Sequence, residues 1–215
     1  MKTKTFLFLI FMQSIMCAFS QNGDQEGGGS YVKRIEHNRF AWGPYNIDSK
    51  MIDEKRLLDK FNAPVEFYFS PLYEVPESPA VFRIFRDSTV NVYILDYKTY
   101  KNANATDVND EILSCSFTVS DQFAEKMYKN MVSLIDNAKA RGTQFLVIHG
   151  YEVTFRAVVE DEVWSLKIHM PSGDALRMSD LCRQILDDAK GEKLDVSKYI
   201  KILNDFDFER RRPNN

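Results

Sequence analysis

The stretch YEVTFRAVVEDEVWSLKIH, residues 151–169, decides how the chain is read, because it spells two strands and the turn between them. Trp164, Leu166 and Ile168 alternate with Ser165 and Lys167, the period-two pattern of a strand with one buried face. Tyr151–Val159 is the preceding strand, and Glu160, Asp161 and Glu162 supply the polar connection of a hairpin.

Upstream the period changes. Phe123, Met127, Met131, Leu134, Ile135 and Ala138 recur at three- and four-residue steps, and Gly142 follows a last turn holding Lys139 and Arg141. That spacing predicts the longest helix of the chain, with Phe145–Ile148 as a further strand after it. Downstream, two helices close the chain. Ser179 is the expected cap of the first, which runs toward Gly191. Asp195 is the expected cap of the second, with Val196, Tyr199, Ile200, Leu203 and Phe206 as its apolar stripe.

Toward the N-terminus, Ser49–Phe61 has a partial helical face and stops before Pro64. Val65–Phe69, Val81–Arg86, Thr89–Leu95 and Ile112–Val119 read as strands, with Asp87 and Ser88 as a tight turn. Strands that come in groups, without strict βαβ alternation, predict an α+β fold. It is an antiparallel or mixed sheet of about six to seven strands, with a long central helix and two C-terminal helices packed on one face. No repeat of fixed period is present, which excludes solenoids and propellers.

Lys2 and Lys4 precede the apolar runs Phe6–Phe11 and Ile15–Phe19, with small residues at Ala18 and Ser20. This is the pattern of a secretory leader cleaved between Ser20 and Gln21. Gln13 and Ser14 interrupt it, and a membrane span needs roughly 20 continuous apolar residues; Met16 before Cys17 does not fit a lipoprotein signal. The expected organisation is a signal peptide (1–20), a flexible Gly-rich linker (21–30), one globular α+β domain (31–208) and a basic disordered tail (209–215). The product is expected to be periplasmic or secreted, with no transmembrane segment in the mature chain.

The chain carries 28 basic against 31 acidic residues, a net charge of −3 that falls to −5 when Lys2 and Lys4 leave with the leader. This balance argues against nucleic acid as a partner. Only Cys115 and Cys182 remain after the leader, and spacing does not decide whether they pair or serve as buried apolar residues.

No cofactor motif, phosphate-binding glycine pattern or G-x-S-x-G elbow occurs, and His37, His149 and His169 do not fall at metal-ligand spacing. No catalytic residue, metal or cofactor is therefore assigned. Cys115 with His149 and His169 resembles exported cell-wall cysteine peptidases in order alone, since Cys115 falls in the strand period of Leu113, Phe117 and Val119 and not at a helix start. Cys182 would sit near a helix N-terminus if Ser179 were its cap.

Aromatic residues on loops carry the binding expectation. RFAWGPY, residues 39–45, holds Trp42 and Tyr45 around a Gly-Pro turn. YKTYKNANATDVND, residues 97–110, has no clear period and holds Tyr97 and Tyr100. Rigid aromatic side chains on loops give large contact area at low entropic cost. Trp42, Tyr45, Tyr97 and Tyr100 are thus the candidate binding residues for a protein, peptide or glycan partner. The sequon at Asn104 and the triplet Asp87-Ser88-Thr89 are short modification matches. The expected function is a non-catalytic exported binding module. The alternatives are a thiol hydrolase using Cys115 or Cys182 with a histidine, or an immunity-type inhibitor of an exported toxin.

Overall fold

The computed structural model describes residues 31–35, 57, 63–71, 77–101, 111–138, 150–160 and 162–206. Trp42, Tyr45, His37, His149, the Asn104 sequon and the expected strand Phe145–Ile148 lie outside the described residues. So does the expected helix Ser49–Phe61, apart from Leu57, which is helical and buried.

The α+β class holds. The strands are β1 (Tyr31–Ile35), β2 (Val65–Pro71), β3 (Ala80–Asp87), β4 (Val92–Tyr100), β5 (Ile112–Val119), β6 (Tyr151–Val159) and β7 (Glu162–His169). Among the described residues they form one antiparallel sheet in the order β1-β7-β6-β2-β3-β4-β5. β2 to β5 make a meander, and the β6–β7 hairpin returns to place β6 beside β2. The helices are α1 (Asp121–Asn137), α2 (Gly173–Lys190) and α3 (Ser197–Asn204).

One sheet face presents Val65, Phe67 and Phe69 of β2 beside Ile84, Phe82 and Ala80 of β3 and Ala157, Phe155 and Val153 of β6. The Phe67 ring sits 5.7 Å from Phe82 and 5.3 Å from Phe155. These side chains share a single core with Phe123, Met127 and Met131 of α1, Met178, Cys182 and Ile185 of α2, and Tyr199 and Leu203 of α3. Each buried Val, Leu, Ile, Phe or Met among them contributes about 1.5–3 kcal/mol. Polar links, with the Lys198 ammonium on Asp188 among them, tie the helices together. Asn130 donates from Nδ2 to the Leu203 carbonyl at 3.1 Å, and the Tyr199 hydroxyl donates to Asp188 at 2.7 Å.

The opposite face carries a row of polar residues running straight across six strands: Ser165, Arg156, Glu66, Arg83, Asp96 and Ser116. Opposite charges alternate along it, the favourable arrangement for cross-strand neighbours. Arg156 bonds Glu66 at 2.7 Å, Arg83 bonds Asp96 at 2.7 Å, and Ser116 donates to Asp96 at 2.7 Å. Leu57, Tyr68, Val81 and Tyr100 form a small apolar cluster on the same side.

Three local expectations are corrected. The turn between β3 and β4 is longer than Asp87-Ser88, and β4 starts at Val92. The Asp87 carboxylate accepts from the Thr89 and Val90 amides, the Asn91 amide bonds the Asp87 carbonyl, and Asn91 takes φ 57°. An Asx-type closure of this kind favours the wider turn over two-residue pairing. α2 begins well before Ser179, with Ser172 in the N-cap position, so Ser179 is a buried mid-helix residue. At α3 the cap position falls to Val196, while Asp195 accepts from the Ser197 amide at 3.0 Å.

Candidate functional site

Antiparallel pairing brings the start of β2, the end of β3, the start of β4 and the end of β6 to one edge of the sheet. There α1 crosses them, begun by Ser120, whose hydroxyl accepts from the Phe123 amide. The elements do not close completely. A cleft of about 530 Å³ remains between α1 and the strand ends, within the size range of small-ligand sites.

Its floor is apolar, made by Ala63, Val65 and Ile84 from the sheet side and Ala124 from α1, all buried. Val65 and Ile84 are register partners, and the Val158 amide bonds the Pro64 carbonyl at 3.0 Å, which fixes β6 against the entry to β2. Two tyrosines line the walls. Tyr128 donates its hydroxyl to the Val158 carbonyl at 2.9 Å, and Tyr93 lies under the Arg86 guanidinium, 5.4 Å from its ring centroid.

Glu125, Glu160 and Arg86 stand exposed around the mouth. Among the described residues none of the three forms an ion pair. Burial pushes the Tyr128 phenol up, and the Glu160 carboxylate adds to the shift, so Tyr128 stays a neutral donor and acceptor. Glu160 holds φ 55°, a left-handed conformation that L-residues other than Asn and Asp seldom take. Among the described residues the lining holds no cysteine, histidine or serine. Such a site can enclose an apolar body and meet charge at its entrance.

Of the sequence-expected residues, the two that are described fall elsewhere. Tyr97 and Tyr100 lie in β4, not on a loop, and are 2% and 1% exposed. They point to opposite faces, Tyr97 into the helix-side core and Tyr100 into the cluster with Leu57. Burial pushes the Tyr97 phenol up to about 12. In these positions they are packing residues and give no contact surface. With Trp42 and Tyr45 outside the described residues, no two of the four are seen together.

The thiols are free and separate. Cys182 is fully buried and burial pushes its pKa well up, which suppresses the nucleophilic thiolate. It also lies in the middle of α2, away from the positive helix end. Cys115 stands on the helix side of β5, opposite Tyr97, whereas His169 pairs with Glu152 on the other face. The strand order puts five ladders between them, roughly 24 Å at about 4.8 Å per ladder.

Arg86, Tyr93, Glu125, Tyr128 and Glu160 were not singled out by sequence reasoning. The available signals were a tyrosine flanking the apolar stripe of α1 and an acidic turn. Among the described residues no group of three His, Cys, Asp or Glu side chains is placed to hold a metal ion, and no helix is long and apolar enough to cross a membrane. Comparison of the chain with protein-family models, curated proteins and solved structures finds no match in any of the three.

Proposed function

We propose that the chain is an exported, non-catalytic binding module whose ligand, a small molecule or a side chain of a protein or peptide partner, enters the cleft between α1 and the strand ends. The observation that carries this reading is the cleft itself, with its apolar floor, two tyrosine walls and, at the mouth, three charged side chains that form no ion pair among the described residues. Sites that bind organic ligands combine an apolar enclosure with a few polar groups in this way. Export is supported by the leader pattern of residues 1–20. Against the thiol-hydrolase alternative stand the burial of Cys182, which keeps its thiol protonated, and the distance of Cys115 from His169, while His37 and His149 lie outside the described residues.

Capture of partners from envelope extract tests the reading when run with three forms of the chain. Pro64→Trp places a bulky ring at the cleft mouth, and Thr118→Trp places the same ring on exposed β5 as a control. A partner held by the wild type and the control but lost with Pro64→Trp is the expected result. A partner retained with Pro64→Trp at unchanged thermal midpoint overturns the reading.

A further inference from the structure

Resting on the cleft reading above, we infer that the ligand is a monovalent organic cation: an amine or guanidinium carried on an apolar body. The floor of Val65, Ile84 and Ala124 takes no polar group, so the body entering it is apolar. The mouth is rich in acceptors. Glu125 and Glu160 offer two carboxylates without ion-pair partners among the described residues, and the Tyr128 hydroxyl oxygen, having donated its proton to Val158, remains an acceptor. The opposing charge is Arg86, whose guanidinium already lies over the Tyr93 ring. Among the described residues, two carboxylates without ion-pair partners against one cation already over a ring leave a deficit of one positive charge, which a monovalent cation fills.

Glu160 takes φ 55° as the first of the two residues that link β6 to β7, the left-handed conformation a tight hairpin requires, and that turn sets its carboxylate on the rim with Tyr128. The chain's net charge of −3 also favours approach of cations over anions. A free amphipathic amine and a lysine or arginine side chain next to an apolar residue in a peptide share this chemistry.

The test titrates the isotope-labelled chain with 3-phenylpropylamine, 3-phenylpropanol and 3-phenylpropionate, which share one body and differ in charge. Binding is read from the amide shifts of Ala124, Tyr128 and Val158. The amine is expected to bind in the roughly millimolar range typical of a ligand of this size and tighter than the alcohol, with the propionate weakest. Glu125→Gln and Glu160→Gln are each expected to weaken the amine about two- to fivefold, the range for exposed charge pairs, and Arg86→Gln to tighten it by a similar factor.

Acetyl-Phe-Lys-amide separates the sources. Binding tenfold tighter than the amine assigns a peptide side chain, equal or weaker binding assigns a free amine, and both outcomes uphold the cation. An alcohol that binds as well as the amine, or a propionate that binds tighter, overturns the cation while leaving the cleft as a binding site. No cleft shift with any probe overturns the inference as well, and the cleft reading falls with it only where Pro64→Trp also keeps its captured partner.

Discussion

Arg156→Met is expected to destabilise the chain by about 3–5 kcal/mol, the usual cost of leaving one member of a buried ion pair alone. Arg156 and Glu66 are only 4% and 2% exposed, and the Arg156 Nη1 to Glu66 Oε2 distance is 2.7 Å. Glu66 has one other strong partner, the Ala63 amide, which donates to Oε1 at 2.8 Å. Its remaining cationic neighbour, Arg83, is engaged through Nε and Nη2 with Asp96. Burial pushes the Glu66 carboxyl up, and Arg156 and then the Ala63 amide hold it down only in part. For an acid raised above 4.5 on folding, the stabilising contribution is complete below about pH 4.5 and is lost as pH rises through the folded value. Removing Arg156 lifts that folded value further, so the penalty is largest at neutral pH and shrinks as the pH is lowered and Glu66 takes up a proton. Glu66→Gln/Arg156→Met keeps an acceptor for Ala63 while removing both charges, and is expected within about 2 kcal/mol of the wild type. Urea unfolding of the wild type, both single variants and the double variant at pH 7 and pH 5 measures the coupling. An Arg156→Met cost below about 1 kcal/mol at pH 7 would refute the desolvated pair.

Three further outcomes follow from the same packing. Tyr97→Ala is expected to cost about 3–5 kcal/mol in urea unfolding, as for other large buried aromatics, whereas a surface-loop tyrosine would change stability by less than about 0.5 kcal/mol. Cys182 is expected to stay unmodified by maleimide in native buffer and to react fully in denaturant, read by peptide mass spectrometry; native labelling at the unfolded rate would show that α2 does not bury it. Burial would push Asp188 up, but the Lys198 ammonium and the Tyr199 hydroxyl outweigh it and hold the carboxyl below 3.8. The stability it contributes is therefore present above that pH and lost below it. Asp188→Asn is expected to flatten the acid limb of a Tm-against-pH curve below pH 4, and an unchanged limb would remove Asp188 from the α2–α3 link.

The fold class was legible because β6, β7 and α1 each keep one face in the core, so their periods stand out. Trp164, Leu166 and Ile168 do lie on the helix-side face, and the stripe Phe123, Met127, Met131 and Leu134 does face the sheet. Starts and turns were less legible. Ser179 has the chemistry of a cap, but the helix had already begun where Gly173 turns at φ 59°, after Ser172, which has the same chemistry and occupies the cap position without a side-chain hydrogen bond. Strand order is beyond periodicity, because β6 joins β2 across the whole meander and α1.

Tyr97 and Tyr100 were misread for a physical reason. Toward its end β4 is buried on both faces, with Tyr97 and Thr99 under the helices and Tyr100 against Val81. A strand covered on both sides loses the apolar-polar alternation by which strands are recognised, and YKTY then looks like loop. The cleft was hidden by the opposite effect. Arg86, Tyr93, Val158 and Glu160 sit where strands end and periodicity stops, and they meet only because four strand ends share one edge of the sheet. The acidic tip of the β6–β7 hairpin reads as solvated turn until Glu160 is seen beside Tyr128 with its backbone held at φ 55°. In this sheet Tyr97 and Tyr100 close its two faces, and the strand ends leave the opening.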